Sequence, residues 1–417
     1  MTKKTLFKFI YVSFFIAAAL VVLSTPPYII NRIRLGQIFG ALALTGLSLQ
    51  LIMTSRIRFL ERGLGYDRIL SAHSVNAKLS FAFLVLHPIF LLQDFTLLKT
   101  FSFYHYLGVV ALLLLILNII LTVYQPRLGL NYEHWKLIHK SGYVIISLGF
   151  IHSFFVGTDI LLRSRLFYWW LFLLILVIFS LLYRHVYRRL VLTRSVYQVS
   201  KIVPEAPHIR SIHFHALNGK VFPFSPGQFA FIRFLSPHLS REEHHFTISS
   251  APNEKFLSMT IKESGDFTST LGKLKIGDKA IIEGPFGVFT NVNLSGPFVF
   301  VAGGIGITPL ISMLRAMSAA NQKDKVILFY SVKTPKDLVF HQELENLKKQ
   351  RWLTVYYFFT EGGSRPTIEF IKKRVKNLKK CKIFICGPAP MLASFEADFQ
   401  KFIGNPANIY SEKFALK

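Results

Sequence analysis

The residues whose type and spacing most directly suggest chemistry are two histidines inside one long apolar stretch, residues 69–92. An ionisable side chain inside a membrane span is costly and rare, so it marks a functional position by default. His73 and His87 lie 14 residues apart, which on an α-helix means an advance of about 21 Å and a return to within roughly 40° of the starting face. Both imidazole rings can therefore face the same partner helix, one near each side of a bilayer.

A second apolar stretch, residues 137–157, carries His139 and His152, which lie 13 residues apart. Neutral imidazole binds haem iron, so four histidines on two facing helices can supply both axial ligands of two stacked haems. The alternative is that each histidine bonds a neighbouring helix or lines a watery cavity. Thirteen residues turn an ideal helix through about 1300°, which leaves His152 roughly 140° from the face of His139. We therefore expect a bend near Gly142 or Gly149, or haems that are not in line.

The composition predicts a membrane protein with a soluble tail. The chain has 417 residues, 52% of them hydrophobic and concentrated in the first half, and a formal net charge of +27. Anionic lipid headgroups attract basic residues that flank membrane spans, so the charge indicates a lipid membrane as the partner and no nucleic acid. The two cysteines exclude a disulfide framework. Apolar segments of spanning length predict six transmembrane helices at about 6–23, 35–53, 69–92, 105–124, 137–157 and 166–183.

The basic residues also predict the orientation of these spans. With a cytoplasmic N-terminus, the inner segments carry 14 Lys and Arg and the outer loops carry five, and the side richer in basic residues is the cytoplasmic one. The spans then lie in the inner (plasma) membrane, and the soluble tail is cytoplasmic. Because the third and fifth spans both run outward, His73 pairs with His139 nearer the cytoplasm. His87 then pairs with His152 on the outer side.

After Arg194 the composition changes to short β-branched and aromatic runs. Val196–Val203, Ile209–His215 and Phe229–Phe234 read as strands, and their close spacing predicts a small antiparallel barrel. Residues 244–252, HHFTISSAP, combine an aromatic ring, hydroxyls and basic groups. Such a ring can stack on a flavin, a hydroxyl can hydrogen-bond near its N5 atom, and a basic group can face its pyrophosphate. The alternative is an ordinary β-strand, because the same combination of residue types is common in strands.

The last part of the chain alternates strands with helical stretches. Phe298–Ala302 is a continuous apolar run typical of a buried parallel strand, and residues 303–309, GGIGITP, form a turn before a helix at Leu310–Ala320. Thr308 suits the N-cap and Pro309 the first helical position. The exposed N–H groups and the helix dipole would make a pyrophosphate site, and the alternative is an ordinary βα turn. Further predicted strands are Val326–Tyr330, Thr354–Phe359 and Lys382–Ile385.

From about residue 33 to the end, these residues together resemble the NADPH oxidase and ferric reductase flavocytochromes, and the C-terminal half resembles the ferredoxin-reductase superfamily. The resemblance implies a multidomain membrane protein of three domains. They are a six-helix transmembrane di-haem bundle over 1–190, an antiparallel β-barrel FAD domain over 191–295, and an α/β Rossmann-like NAD(P)H-binding domain over 296–417. The family shows 13- or 14-residue histidine spacing in the corresponding spans, with His73, His87, His139 and His152 as the implied ligands of two b-type haems.

The resemblance also implies which residues hold FAD. HHFTISSAP corresponds to the flavin motif of the family, usually His-Pro-Phe-Thr. The implied flavin contacts are His244, Phe246, Thr247, Ser249 and Ser250, with Lys262 and Thr268 near the phosphates. Phe414 stands where the family stacks an aromatic ring on the flavin, although three residues follow it here. Thr247, Cys386 and Phe414 are the residues expected at the reacting atoms.

The implied nucleotide contacts lie in two further motifs. They are Gly303, Gly304, Gly306, Thr308 and Pro309 in AGGIGITP, and Cys386, Gly387 and Pro388 in CGP. Cys386 would lie beside the nicotinamide, and the alternative is a small buried residue at a strand end. Ser331 and Lys333 occupy positions that often receive the 2′-phosphate of NADPH in this superfamily, which favours NADPH over NADH. Arg365 resembles another cofactor contact.

The function implied is electron transfer from cytoplasmic NADPH through FAD and two haems to an external small-molecule acceptor. Short outer loops favour oxygen, which would give superoxide, over a bulky acceptor. A ferric chelate docking on outer arginines, a periplasmic protein and quinone remain alternatives, and Leu91 stands where animal NADPH oxidases have a polar residue. Arg34 could attract oxygen-derived anions or could be a snorkelling interfacial arginine. A haem-binding membrane carrier or sensor is the alternative from another class, and no obligatory protein partner is evident.

Overall fold

The structure is a computed structural model that describes residues 3–26, 28–91, 102–125, 127–130, 132–157, 160, 164–192, 195–322, 324–403 and 406–413. The chain divides into two compact units, Met1–Arg188 and Arg189–Lys417. The first unit is helical, and the second contains two β-sheets with helices.

Long apolar helices dominate the first unit. Its helices are α1 (Lys3–Leu23), α2 (Arg32–Thr54), α3 (Arg58–Leu64), α4 (Tyr66–Leu91), α5 (Phe103–Tyr124), α6 (Tyr132–His139), α7 (Gly142–Val156) and α8 (Arg165–Leu182), followed by a π-helix (Tyr183–Tyr187). Helix α9 (Arg188–Leu192) begins at the last residue of this unit. Within the described residues five helices are long and apolar enough to cross a membrane: Thr5–Leu23, Arg32–Thr54, Arg68–Leu91, Phe103–Tyr124 and Arg165–Leu192. The chain is therefore a multi-pass membrane protein, but the predicted count of six spanning helices is not confirmed.

The missing span is the fifth predicted one, which is broken between α6 and α7. Ser141 N–H bonds the carbonyl of Ile138 at 2.9 Å, and Tyr143 N–H bonds that of Lys140 at 3.0 Å. These are i→i−3 bonds, and three residues per turn rotate the chain about 20° more per residue than an α-helix does. The extra rotation turns His152 back towards the face of His139. The structure thus confirms the bend expected near Gly142.

Helix α2 lies at the centre of the first unit, where it contacts α1, α4, α7 and α8. Its Leu47 packs in a core with Ile146 and Phe150 of α7 and with Leu173 and Val177 of α8. This packing places the broken segment that carries His139 and His152 against the same helix that packs on α4. The two histidine-bearing segments are therefore neighbours within one packed unit.

Six antiparallel strands form the first sheet of the second unit. They are β1 (Val196–Ala206), β2 (Ile209–Ala216), β3 (Phe229–Phe234), β4 (Glu243–Thr247), β5 (Leu257–Lys262) and β6 (Lys279–Phe286), in the order β4-β3-β6-β1-β2-β5. The predicted small antiparallel barrel is not confirmed in detail, because this sheet is not closed. An isolated bridge between Ile248 and Met259 lies between the edge strands β4 and β5, which form no ladder. Next to the bridge, Ser249 N–H bonds the carbonyl of Ser258 at 2.8 Å, and Ser249 Oγ lies 2.8 Å from Ser258 Oγ.

Five parallel strands form the second sheet: β7 (Phe298–Gly303), β8 (Val326–Val332), β9 (Leu353–Phe359), β10 (Lys382–Gly387) and β11 (Ile409–Lys413). Its helices are α11 (Ile307–Ala319), α12 (His341–Lys348), α13 (Ile368–Arg374) and α14 (Ala389–Ile403), and the short α10 (Asp266–Ser269) belongs to the first sheet's connections. Phe298 and Phe300 pack in one core, whereas Val299 and Val301 pack in another. Both faces of β7 are therefore covered, which explains the continuous apolar run.

The strand order β11-β10-β7-β8-β9 reverses direction between β7 and β10. In open parallel sheets ligands bind beyond the carboxyl ends of the strands at such a switch point. The carboxyl end of β7 is Gly303 and that of β10 is Gly387. The topology therefore brings the two predicted nucleotide motifs together.

The helix after the glycine-rich loop begins earlier than predicted. A 3₁₀ turn at Gly304–Gly306 runs directly into α11, so Gly306 is the N-cap. Thr308 lies inside the first turn, where its hydroxyl donates to the carbonyl of Ile305 at 3.0 Å. The prediction of Thr308 as the N-cap is wrong, because the turn supplies helical geometry before it.

Candidate functional site

Four of the seven histidines of the first unit form two pairs, and the ring centre of a fifth, His105, lies 6.4 Å from that of His152. The ring centres of His73 and His139 lie 6.2 Å apart, and those of His87 and His152 also lie 6.2 Å apart. A metal bonded to two opposed imidazoles at about 2.0–2.1 Å each holds the ring centres roughly 6 Å apart. Each pair is thus spaced to hold one iron between two axial imidazoles.

Both rings of the second pair are oriented by backbone carbonyls. His87 Nδ1 lies 2.8 Å from the carbonyl oxygen of Gly36, and His152 Nδ1 lies 2.9 Å from that of Tyr104. A carbonyl can only accept, so each Nδ1 carries the proton and each Nε2 keeps its lone pair. A hydrogen bond from the other ring nitrogen is the usual support of a metal-bound histidine. The geometry therefore fits an iron ligated through Nε2.

The first pair has different partners. His139 Nδ1 lies 3.0 Å from Asn118 Oδ1, and Trp135 stacks on the His139 ring with centres 5.2 Å apart. His73 Nδ1 and Gln50 Oε1 are both buried and, within the part of the chain that the structure describes, neither has a hydrogen-bond partner. Gln50 Nε2 donates to the carbonyl of His73 at 3.2 Å. Buried polar groups without partners are rare and point to a missing ligand or local rearrangement at this pair.

Two glycines leave space for the rings of the second pair, and the sequence analysis missed both. A β-carbon at Gly40 would lie 2.8 Å from His87 Nδ1, and one at Gly108 would lie 2.7 Å from His152 Nδ1. Isolated glycines in membrane helices permit close packing. Their presence in two apolar helices was therefore the only sign in the sequence of a close approach at these positions. Asn118 was not predicted either, although a polar residue inside an apolar helix also indicates a functional position.

Arg34 lies near the start of α2 and is buried rather than interfacial. It is 2% exposed, and its guanidinium donates to Gln37 Oε1 at 3.0 Å and to the carbonyl of Thr25. The snorkelling interpretation of Arg34 is therefore wrong. Leu91 packs close to Gly36, where a β-carbon would lie 2.7 Å from Leu91 Cδ2. The surroundings of Gly36, whose carbonyl orients His87, are thus apolar on the Leu91 side.

The predicted flavin motif lies on β4 and the segment after it. His244 stacks on Phe267 with ring centres 3.7 Å apart, and its Nε2 lies 3.3 Å from Glu242 Oε2. Phe246 is half-buried and Thr247 is buried, paired in register with Phe229. The rings of His244 and Phe246 are therefore both half-buried.

The other predicted flavin residues divide into buried and exposed groups. Ser249 and Ser250 are fully buried, and Ser250 Oγ accepts a bond from Ser258 N–H at 3.0 Å. Their hydroxyls are thus engaged inside the unit. Thr268 Oγ1 accepts bonds from the N–H groups of Ser264 and Gly265 at 2.8 and 3.0 Å, which fixes the turn, and Lys262 is exposed. Phe414 lies outside the described residues.

Arg315 on α11 clamps the flavin motif. Its Nε and Nη2 donate to both carboxylate oxygens of Glu343 at 2.7 Å, and its Nη1 donates to the carbonyl of Ser249 at 2.6 Å. Burial lowers the pKa of Arg315, but the hydrogen bond and charge of Glu343, together with the charges of Glu254 and Glu205, raise it overall. Burial raises the pKa of the nearby Glu254, opposed by the charge of Arg315. Ser312, one turn earlier, donates to the carbonyl of Ser250 at 2.7 Å.

Replacing Arg315 by Met should loosen this clamp. Hydrogen bonds to charged groups contribute about 1.5–3 kcal/mol, so the second unit should lose about 2 kcal/mol of unfolding free energy and its thermal midpoint should fall by roughly 4–8 °C. The measurement is the temperature of FAD release from the purified full-length protein. Lys348→Met is the matched control, because the Lys348–Glu345 pair is about one-third exposed on each side and such pairs contribute little. Equal FAD-release temperatures for the Arg315→Met and Lys348→Met variants would contradict the stabilising role of Arg315.

The two nucleotide motifs meet at the switch point. A β-carbon at Gly306 would lie 2.2 Å from the carbonyl oxygen of Cys386, and one at Gly387 would lie 3.1 Å from the Gly303 Cα. Cys386 is fully buried and Pro388 is exposed. The loop between β7 and α11 therefore rests directly on the end of β10, and the Cys386 side chain lies beneath the surface.

The remaining predicted nucleotide residues lie at the ends of neighbouring elements. Gly304 and Pro309 flank the start of α11, and Ser331 pairs in register with Gly303 across β7 and β8. Ser331 is 7% exposed, whereas Lys333 and Arg365 are exposed. The exposed lysine and arginine can meet a phosphate without losing a buried partner.

Comparison with known proteins identifies both halves of the chain. Residues 39–150 match the family described as ferric reductase like transmembrane component, and residues 300–397 match the oxidoreductase NAD-binding domain. Flavohemoprotein A of Dictyostelium discoideum is 28% identical over 214 residues, which cover 47% of this chain and 54% of that protein. The reductase component of propane 2-monooxygenase from Rhodococcus jostii is 26% identical over 211 residues, 47% of this chain and 56% of that protein.

Two further similarities are of the same kind. The reductase subunit of glycine betaine monooxygenase from Pseudomonas aeruginosa is 28% identical over 216 residues, 48% of this chain and 59% of that protein. A crystal structure of the flavohem-like FAD/NAD-binding domain of nitric oxide dioxygenase from Vibrio cholerae covers 53% of this chain and 98% of that chain, at 20% identity and a TM-score of 0.48. The chain spans about half the length of the curated relatives it matches.

The matches confirm the predicted enzyme class, an NAD(P)H-dependent oxidoreductase with FAD- and NAD(P)H-binding parts. They also agree with the multi-pass membrane character of the first unit. One part of the chain, residues 39–150, is therefore similar to a ferric reductase like transmembrane component, and another part, residues 300–397, is similar to an oxidoreductase NAD-binding domain.

Proposed function

We propose that this protein moves electrons from cytoplasmic NADPH across the cell membrane to an external acceptor, with FAD and two b-type haems as its cofactors. The proposal rests on the two histidine pairs, His73 with His139 and His87 with His152, in each of which the ring centres lie 6.2 Å apart. A structural role for these histidines would not require two equal spacings that each match one metal between opposed rings. The three-domain division at residues 190 and 295 and the cytoplasmic placement of the second unit are part of the same proposal.

The chain's own residues would bind and orient these groups. His73 and His139 would hold one haem, and His87 and His152 the other. The half-buried rings of His244 and Phe246, with the exposed Lys262, would hold FAD, and the Gly303–Gly306 loop would face the pyrophosphate of the nucleotide. When bound, FAD accepts two electrons from NADPH and releases them singly, and haem iron carries single electrons.

NADPH is the preferred donor in this proposal. Lys333 and Arg365 are exposed beside the carboxyl ends of β8 and β9, and exposed cations suit a 2′-phosphate. The side chain of Ser331 is mostly covered, so the two cations would carry most of this preference. NADH would lack the group that they recognise.

Oxygen, reduced to superoxide, is the acceptor that we favour, and a ferric chelate is the second candidate. Arg34 is a buried cation on α2, the helix whose Gly36 carbonyl orients His87. A buried cation favours a small anion such as superoxide over a bulky chelate, which could not reach it. Arg32 is exposed at the start of α2 and supports the ferric chelate.

The test is stopped-flow absorbance of the detergent-purified full-length protein, mixed with NADPH without oxygen and then given oxygen or ferric citrate. Haem reduction followed by fast reoxidation with oxygen and formation of superoxide would support an NADPH oxidase. Fast reoxidation only with ferric citrate would support a ferric reductase. Bound haem that NADPH does not reduce would contradict the proposal and favour a haem carrier or sensor.

A further inference from the structure

Asn118 of α5 is a buried amide with both ends engaged at the break between α6 and α7. Its side chain is 6% exposed. The Nδ2 atom donates to Ser141 Oγ at 2.8 Å and lies 3.3 Å from the carbonyl oxygen of Ile138. The Oδ1 atom lies 3.0 Å from His139 Nδ1. One side chain therefore contacts both the helix break and the histidine just before it.

These contacts fix the direction of the amide. The carbonyl of Ile138 can only accept, so the NH₂ group must face the break and the oxygen must face His139. An amide oxygen can only accept, so His139 carries its proton on Nδ1 and keeps the Nε2 lone pair for a metal. The orientation of Asn118 thus follows from its whole set of partners rather than from one contact.

The support of His139 differs in kind from that of the second pair. His87 and His152 bond backbone carbonyls, which no substitution removes. Among the described histidines of the two pairs, only His139 has a side-chain amide as its Nδ1 partner at hydrogen-bond distance. The ring of His139 can therefore be tuned by changing a single side chain without touching a ligand.

We propose that Asn118 is a positioning residue for His139, which sets the tautomer and angle of the ring and thereby the reduction potential of the iron bound there. The inference rests on the proposed haem pair at His73 and His139. A stronger acceptor at Nδ1 draws the proton away from the ring and makes Nε2 more basic, which stabilises ferric iron. A residue without an acceptor does the reverse and leaves the ring held only by Thr122 Oγ1, at 3.5 Å from Nδ1, and by the stacked Trp135 ring among the contacts of the described residues.

Two substitutions at Asn118 should therefore act in opposite directions. Asn118→Asp should lower the potential of the haem held by His139, and Asn118→Leu should raise it and weaken haem binding at that site by about 10- to 100-fold. The other haem should keep its potential in both variants. The measurement is a spectroelectrochemical titration of the purified full-length protein, together with the number of haems per chain.

Two further variants separate positioning from folding. Ser141→Ala removes the nearest of the three acceptors of the NH₂ group and keeps the carbonyls of Ile138 and His139, so it should shift the same haem in the direction of Asn118→Leu by a smaller amount, even if Asn118→Leu does not fold. Thr45→Val is the matched control. Thr45 is fully buried and accepts a bond from Trp169 Nε1 at 3.3 Å, so its loss should leave both potentials unchanged.

The outcomes distinguish this inference from the proposed function. Wild-type protein that binds no haem would refute the proposed function and the inference with it. Wild-type protein with two haems, and Asn118 variants that keep both wild-type potentials, would refute the inference alone. Equal shifts of both haems, in the same direction for Asp and Leu, would show general loosening of the helices and would also overturn it.

Discussion

Replacing His139 by Ala should reduce the haem content from two per chain to one and lower NADPH-dependent reduction of an external acceptor by more than about a hundredfold. In the proposed function His139 would be one of the two haem ligands of the first pair, and alanine has no ligand atom. NADPH should still reduce the flavin at the wild-type rate, because the nucleotide and flavin motifs lie in the second unit. The measurement is haem per chain together with anaerobic stopped-flow of flavin and haem absorbance.

His134→Ala is the matched control for this substitution. His134 lies on the same short helix, α6, and its side chain is exposed. It should keep two haems and wild-type transfer. Unchanged haem content in the His139 variant would refute the pairing with His73. Loss of flavin reduction in the same variant would indicate that the whole protein had been damaged, and the control would then show whether any change in α6 does so.

The sequence predicted which histidines lie together better than it predicted the helical segment that carries His139 and His152. Residue type and spacing identified His73, His87, His139 and His152, since charge inside an apolar stretch is visible without a structure. The break before Gly142 was expected only because 13 residues do not return to one helical face. At the break, Ser141 accepts a bond from Asn118 of another helix. Such a contact between distant segments leaves no periodic signal.

In the second unit, too, the sequence predicted individual strands but not the contacts between distant segments. β7 and β8 were predicted because buried parallel strands are continuous apolar runs, and their order followed from the topology rather than from sequence. The predicted barrel was not confirmed in detail, because strand-like patterns predict strands and not whether the edge strands of a sheet pair. The role of Gly306 as the N-cap was missed because Thr308 is a better capping residue by type. Tertiary contact with Cys386 instead decides the path of the loop.

Replacing Gly306 by Ala should nearly abolish the use of NADPH. The added β-carbon would lie 2.2 Å from the carbonyl oxygen of Cys386 and 2.9 Å from the Cα of Gly387, both in the backbone. Cys386 pairs with Ala302 on one side and with Glu412 on the other, so the strand cannot move aside without breaking the sheet. The loop must shift instead, and overpacking of this kind costs about 1–3 kcal/mol. We expect flavin reduction by NADPH to slow by about 100-fold at a fixed low NADPH concentration.

The measurement is anaerobic stopped-flow of flavin reduction across a range of NADPH concentrations. Gly272→Ala is the matched control, since a β-carbon there would meet only the guanidinium of Arg210 at 3.7 Å, an ordinary contact. Haem content should be unchanged in both variants, because the paired histidines lie in the first unit. Wild-type flavin reduction in the Gly306 variant would mean that the nucleotide does not depend on the geometry of this loop. Because the switch point between β7 and β10 is where an open parallel sheet binds its ligand, such a result would also remove the structural basis for placing NADPH there.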